Sequence, residues 1–480
     1  MENTESSRNL RWFNIALISF TAVWGLNNVM NNFAQQGLVV IVSWVLMMLF
    51  YFIPYTLMVG QLGSTFQDAD GGVSSWMKSL STSRLAYFAA WTYWIVHVPY
   101  LAQKPQTILI GFSWLFQNNG DFVNQTPSYI VQGLSLVLFL VFVWMASRGV
   151  ATLNRIASIA GTGMFIMSML FIVLGVTAPF ITNTPFATAN MNQVSTYIPK
   201  FNFNYFTTIS MLVFAVGGAE KISPYVNKTK NPSREFPLGM IMLAIMVAIS
   251  AIMGSFAMGI LFDANNIPTD LMANGAYEAF QMLGNYFHIG NLLVWLFAIS
   301  NVLTSAAALA ISIDAPLRIF LNDADDNYIP KALSFKNSRD VAVNGYKLTA
   351  LLVSIIIIVP ALGIGGMNDL YTWLMNLNSI VMPMRYLWVF AAYMLLQKQI
   401  KNFKSDYVFV KNPKVGFMFG LWCFLFTAFA CILGTVPKMD YSANPTTWWF
   451  QLIMNIATPL IFIALGFILP MIARRQKKTA

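Results

Sequence analysis

The sequence predicts an all-α membrane protein with twelve transmembrane helices, and three observations carry that prediction. Of its 480 residues, 57% are hydrophobic and 10% charged, with a mean hydropathy of +0.61, far too apolar for a water-soluble globule. Apolar runs near or above the roughly 20 residues that a helix needs to cross a bilayer recur along the whole chain. Basic residues gather in alternate loops between these runs, which is the asymmetry that orients helices in a membrane.

The runs fall at 12–35, 38–63, 85–115, 129–147, 156–180, 203–228, 237–262, 287–316, 345–363, 368–397, 414–436 and 446–472, and their length argues for helix over strand. With the N-terminus cytoplasmic, Arg8, Arg11, Lys78, Arg84, Arg148, Arg155, Lys228, Lys230 and Arg234 lie inside, together with the basic clusters at 318–347, 398–414 and 474–478. The outer loops receive Lys200 and Lys438 alone, while Lys104, Lys221 and Arg385 remain within the spans. An odd number of helices would scramble this pattern, so both termini are expected in the cytoplasm. Trp448 and Trp449 open the last run where an outer aromatic belt belongs. Orientation therefore accounts for the net charge of +10, and no basic domain exists to hold a nucleic acid. Cys423 and Cys431 share one apolar run and indicate neither a disulfide framework nor a metal site. The opening MENTESSRNLRW and the run after it lack a small-residue cleavage site, so that run is expected to be kept as a helix. Two outer connections, 182–201 and 263–288, are long enough for structure of their own, and the second contains the helix-like DLMANGAYEAFQML.

The stretch Phe214 to Pro232, FAVGGAEKISPYVNKTKNP, stops being a good helix in mid-membrane. Gly217 and Gly218 tolerate unusual backbone angles, so the hydrogen-bond ladder can open and free backbone groups for a ligand. The first run holds Ala22-Val23-Trp24-Gly25, so Ala-Val-x-Gly recurs in the first span of each half. Glycine-interrupted spans at corresponding places in two halves point to the binding site of a secondary transporter. Packing glycines and a chance match are the plain alternative; Glu220, charged and beside the second pair, weighs against it.

Phe214, Gly218, Glu220 and Lys230-Asn231-Pro232 resemble the sixth helix and following loop of the amino acid, polyamine and organocation superfamily. Asp70-Gly71-Gly72-Val73-Ser74-Ser75-Trp76 looks like that family's loop after the second helix, and Ala315-Pro316-Leu317-Arg318 through Ile329-Pro330-Lys331 like its loop after the eighth. The likeness spans most of the chain and is nearest to the bacterial glutamate:GABA antiporter branch. It implies the leucine-transporter fold: 1–11 as a cytoplasmic N-terminus, 12–180 and 203–397 as 5+5 inverted repeats with helices 1 and 6 broken, 414–472 as two further helices, and 473–480 as a cytoplasmic tail. It also implies secondary active transport of an acidic or neutral amino acid by alternating access, as an antiporter or proton-coupled permease of the bacterial cell membrane. Cationic amino acids or polyamines are the alternative substrates. At the first break the chain departs from the family's Gly-Ser-Gly, with Trp24, Gly25, Leu26, Asn27 and Asn28 in its place, so the asparagine amides are expected to supply contacts there. The lysine that some relatives carry on helix 5 is absent, since no Lys or Arg stands between Arg155 and Lys200.

The expected substrate site comprises Trp24 to Asn28, Phe214, Ala215, Val216, Gly217, Gly218 and Glu220, with Trp24, Phe214 and Trp295 as aromatic walls. Charges at membrane depth usually face a cavity or a partner, so Glu220, Lys104, Arg385 and His97 are candidates for proton coupling or gating. For Glu220 the plain alternative is an ion pair with Lys104 or Arg385; for His97, set among Trp91, Trp94 and Tyr100, it is a hydrogen-bonded packing role. Asn301, Thr304 and Ser305 could offer oxygens to sodium, although hydroxyls on membrane helices usually bond neighbouring backbone. Three intramembrane cations against one carboxylate favour an acidic or neutral substrate over a cation. No cofactor is implied; the expected partners are the amino acid, the bilayer, a proton or counter-substrate, and a second copy in a homodimer. The rivals are a membrane-embedded enzyme, for which the chain offers only His97 and His288 and no catalytic motif, and a non-transporting amino acid sensor.

Overall fold

A computed structural model describes residues 10–66, 72–148, 153–221, 229–323, 327–337 and 341–478. Asp70 and Gly71 of the first loop motif, Ile222 to Lys228 after the second break, and Arg8 and Arg339 lie outside them. The described residues form α1 (Trp12–Val23), α2 (Leu26–Gln36), α3 (Val40–Met47), α4 (Ile53–Thr65), α5 (Val73–Leu80), α6 (Ser83–Ile95), α7 (His97–Gln117), α8 (Asp121–Gln125), α9 (Ser128–Ser147) and α10 (Leu153–Thr182). They continue as α11 (Phe203–Ala215), α12 (Pro232–Leu261), α13 (Leu271–Tyr286), α14 (Leu292–Asp323), α15 (Lys331–Ser334), α16 (Val343–Ile358), α17 (Met367–Val381), α18 (Met384–Lys398), α19 (Pro413–Gly434) and α20 (Pro445–Lys478).

Among the described residues, 9 helical stretches are long and apolar enough to cross a membrane. The expected runs missing from that set are the first, third and sixth. The first is split into α1 and α2, the described part of the sixth leaves the helix after Ala215, and the third, α6 with α7, carries His97, Gln103, Lys104 and Gln106. Polar side chains within a span lower its mean hydropathy, and at membrane depth they usually face a cavity or a partner.

Contacts sort the loops onto two faces. On one, the Lys230 amide donates to the Leu10 carbonyl at 2.9 Å, Gln399 Nε2 to the Leu80 carbonyl at 2.9 Å, and the Lys331 amide to Gln476 Oε1 at 3.3 Å. On the other, the Ser128 amide donates to the Gly365 carbonyl at 2.9 Å, Thr188 Oγ1 to the Phe262 carbonyl at 2.9 Å, and Asn368 Nδ2 to the Thr269 carbonyl at 3.1 Å.

Interrupted helices recur where proline or glycine breaks the ladder. Pro54 has no N–H for the Phe50 carbonyl; a wide π turn over Met48–Phe52 absorbs the misfit, and Trp422 Nε1 donates to that carbonyl at 2.8 Å. The chain turns at Val96, just before Pro99, and at Met382-Pro383, dividing α6 from α7 and α17 from α18. Trp24 and Gly25 are fully extended between α1 and α2. After α11, Gly218 takes a φ of +109°, a backbone conformation that side-chain-bearing residues rarely adopt.

The helix expected in the outer connection 263–288 is α13. It is buried against α2, α10 and α14, with Phe280 stacked on Phe297 at 4.9 Å between centroids. Its first turn is tied down: Asn274 Nδ2 donates to Asp270 Oδ2 at 2.8 Å, and Trp114 Nε1 donates to Asn274 Oδ1 at 2.9 Å. Burial, with the nearby Asp270 charge as the lesser cause, pushes the Glu278 carboxyl up from 4.5 to about 7. The folded chain therefore keeps this proton over a range where the unfolded chain has released it, so stability falls as pH rises through that window and levels off above it. The melting midpoint in detergent should decline between pH 5 and pH 8, and Glu278→Gln should flatten the decline. A wild-type curve that Glu278→Gln leaves unaltered would count against this reading.

Candidate functional site

Four of these five interruptions, all but the one at Pro54, meet at one cavity of about 210 Å³. The first contributes Trp24, Gly25, Leu26, Asn27 and Asn28; the second, His97 and Tyr100; the third, Phe214, Gly217 and Lys221; the fourth, Met382, Arg385 and Tyr386. Uninterrupted α14 adds Asn301, Thr304 and Ser305, which share one face at helical spacing. Each interruption leaves backbone groups without intrahelical partners, and in a membrane such groups are tolerated only against protein or a polar cavity.

The two broken spans are joined directly. Asn28 Nδ2 donates to the Ala215 carbonyl at 3.2 Å, tying the first turn of α2 to the last residue of α11. Gly25 caps α2 without a side-chain hydrogen bond, so the first amides of that helix carry its partial positive charge uncapped at the cavity wall. A Cβ added to Gly25 would meet nothing within 4 Å. Gly217 is the opposite case: a Cβ there would lie 1.7 Å from the Tyr386 hydroxyl, so the second break and α18 touch through a glycine that has no room for more.

A buried charge cluster runs from this wall into the protein behind it. Glu220 and Arg385 are each 2% exposed, and Arg385 Nε sits 3.2 Å from Glu220 Oε1, close enough for an ion pair although not aligned as a hydrogen bond. The Tyr55 hydroxyl donates to Glu220 Oε2. Arg385 also donates to His97 Nε2 at 3.2 Å and to the Tyr386 hydroxyl at 3.4 Å, and its guanidinium lies over the Tyr93 ring at 5.5 Å. His97 Nδ1 is 2.7 Å from the Tyr93 carbonyl, which can only accept, so Nδ1 carries the proton and Nε2 accepts from Arg385. That is a neutral imidazole with both nitrogens engaged.

Most of the expected site residues come together here. Trp24 to Asn28, Phe214, Gly217, His97, Lys104, Arg385, Asn301, Thr304 and Ser305 line the cavity. Ala215, Val216, Gly218 and Glu220 stand behind the wall, Ala215 through its carbonyl and Glu220 through Arg385. Trp295 is displaced from its expected place: it is 43% exposed, with Nε1 donating to Asn118 Oδ1 at 2.6 Å near the end of α7, because α14 begins only at Leu292. Of the oxygens proposed for sodium, Thr304 Oγ1 donates to the Ala160 carbonyl at 3.0 Å, and the Asn301 amide donates to the Tyr277 hydroxyl at 2.7 Å. Sequence reasoning missed Tyr55, Tyr100, Gln103, Tyr371, Met375 and Tyr386. Tyr371 and Met375 on α17, and Met382 just past its end, do fall at one-face spacing, but where every face is apolar that spacing singles out no side.

The charge balance of the wall is one-sided. Lys104, Lys221 and Arg385 line the cavity, and no Asp or Glu does among the described residues. Lys104 Nζ rests 4.9 Å over the Tyr100 ring. With Glu220 opposite Arg385, two lysines remain to face a solute.

The amino acid permease family model matches residues 10–462. The aspartate/glutamate permease AcaP of Lactococcus lactis subsp. cremoris is 58% identical over 475 residues, which cover 99% of this chain and 97% of that one. The glutamate/gamma-aminobutyrate antiporter of Lactococcus lactis subsp. lactis is 23% identical over 423 residues, covering 85% and 80%. The crystal structure of the Eremococcus coleocola manganese transporter, in complex with an aromatic bis-isothiourea substituted compound, superposes with a TM-score of 0.56 at 12% identity, over 98% of this chain and 95% of that one.

The two glycines predict contrasting variants. Gly25→Ala should fold with an unchanged melting midpoint and bind its solute more weakly, because its methyl projects into open cavity. Gly217→Ala should lose both transport and thermal stability, since Tyr386 is 1% exposed and has nowhere to retreat. Thermal shift and uptake measured on both variants check the pair.

Proposed function

The chain belongs to the amino acid permease family, and from that premise we propose that it carries acidic amino acids, aspartate and glutamate, across a bacterial cell membrane by alternating access. The observation that carries this reading is the cavity wall, with Lys104, Lys221 and Arg385 and no Asp or Glu among its described residues. Glu220 offsets Arg385. The surplus positive charge favours a solute of net charge −1 and disfavours cationic amino acids and polyamines. The similarity to an aspartate/glutamate permease supports the same choice.

In this reading the substrate's α-carboxylate sits at the uncapped N-terminus of α2, where the helix dipole is favourable. Its ammonium meets carbonyls at the end of α11, and its side-chain carboxylate reaches the lysines. The chain has twelve spans, arranged as 5+5 inverted repeats over 12–180 and 203–397 with 414–472 outside the repeats, and both termini are cytoplasmic. The face holding Leu10, Leu80, Lys331 and Gln476 is then the inner one, in keeping with the basic residues near it.

Glu220 is the carboxylate that couples a proton to transport. It lies beside the second break and holds Arg385, so protonation would release the arginine that joins α18 to the broken span. His97 orients Arg385 and takes no proton of its own. Asn301 and Thr304 give their donors to protein partners, which leaves their oxygen lone pairs open to a cation, so sodium is the alternative coupling ion.

Purified chain in proteoliposomes should take up labelled glutamate and aspartate and should ignore arginine and putrescine. Lys104→Gln should raise KM for glutamate more than for glutamine; equal effects on the two would remove the lysine from substrate reading. Glu220→Gln should still bind substrate while its uptake loses pH dependence, and a pH profile identical to wild type would reject the proton role.

A further inference from the structure

A second hollow of about 840 Å³ lies on the outer side of α2, where Gln35, Gln36 and Val39 meet the connection 189–200, the start of α11 and the loop 436–440. It is separate from the central cavity. Asn31 lines the inner hollow and Gln35 the outer one, so the two are divided by one turn of α2, about 6 Å of rise. The dividing layer is built of polar side chains. Gln35 Nε2 donates to Asn376 Oδ1 at 3.2 Å, binding α2 to α17, and Gln36 Nε2 donates to Thr208 Oγ1 at 2.8 Å, binding α2 to α11. Gln36 Oε1 in turn accepts from Ser43 Oγ at 2.6 Å.

Lys200 and Lys438, the two cations of the outer loops, both line it, and Asp440 is the one acidic residue in its described wall. The loop carrying Lys438 does not lie idle: its ammonium reaches the carbonyl of Thr207 in the second turn of α11. A neutral carbonyl is a weaker partner for an ammonium than a carboxylate would be.

We infer that this outer hollow is a second, anion-selective binding site, in which Lys200 and Lys438 hold an acidic amino acid before α2 and α11 part to admit it. The inference rests on the acidic-substrate reading and extends it to a station outside the gate. An arriving carboxylate takes Lys438 from Thr207, which loosens the outer loop from α11, one of the two elements that close over the central cavity. Occupancy of the hollow is thereby coupled to the helix that must move. Burial pulls the Lys438 amine down to about 7. Its charged form therefore prevails below that pH and is lost above it, with Asp440 and Lys200 as the other charged groups facing the hollow.

The test uses the full chain in proteoliposomes, with labelled glutamate uptake measured over a range of salt concentration. Lys200→Gln with Lys438→Gln should raise KM about threefold or more at low salt and flatten the salt dependence. Lys200→Arg with Lys438→Arg should keep the wild-type KM. Asp440→Asn should lower KM, an opposite shift that a merely structural role of the loop would not produce, and it keeps the test open if the glutamine pair fails to fold. Unchanged KM and salt profiles in all three overturn the outer site. Failure of the wild-type chain to transport any acidic amino acid overturns the substrate reading instead, so the two failures are told apart.

Discussion

The pairing of Glu220 with Arg385 is the constraint on which the rest of the site depends. A single charge at membrane depth is costly, and a buried pair is tolerated only when its remaining donors and acceptors are also engaged. Tyr55 engages the second carboxylate oxygen, while His97 and Tyr386 take the guanidinium donors. These partners come from four segments: α4, α7, the chain just after α11, and α18. Removing one member of such a pair leaves the other uncompensated, at a typical cost of about 3–5 kcal/mol. The cluster thus acts as a joint that holds these elements together in one arrangement.

The interrupted helices follow from the same physics. Backbone groups freed by glycine or proline cannot face lipid, so spans with breaks must turn those breaks toward one another or toward protein. Pro54 shows the closed solution, since the carbonyl it leaves free is taken by Trp422 at 2.8 Å. Gly25 shows the open one, where uncapped amides face a cavity. A transporter needs the second kind, because only groups left without protein partners remain to hold a substrate and release it.

The layer of Gln35, Gln36, Asn376 and Thr208 ties α2 to α17 and α11. Its hydrogen bonds are neutral and reach across helices, and neutral bonds of this kind are individually modest in membranes, about 0.6–2 kcal/mol. Such a layer can close α2 against α11 and α17 without locking it.

The sequence alone determined the class of the protein and the location of its two principal breaks. Apolar length, the alternation of basic loops and the glycines at 25, 217 and 218 are local properties, and each acts through the backbone or the bilayer without needing a distant partner. It also marked Glu220, Lys104, Arg385 and His97 as unusual, because charge in a membrane is unusual wherever it lies. Tertiary structure decided who pairs with whom. That Glu220 meets Arg385 and Tyr55, that His97 stays neutral between Tyr93 and Arg385, and that Trp295 points away from the cavity depend on rotations of whole helices. In a chain whose faces are nearly all apolar, periodicity cannot report those rotations. The same holds for Tyr386, whose hydroxyl fills the space that Gly217 leaves empty: the glycine was legible as a break, but the neighbour it makes room for is nearly 170 residues away along the chain and is brought there only by the packed bundle.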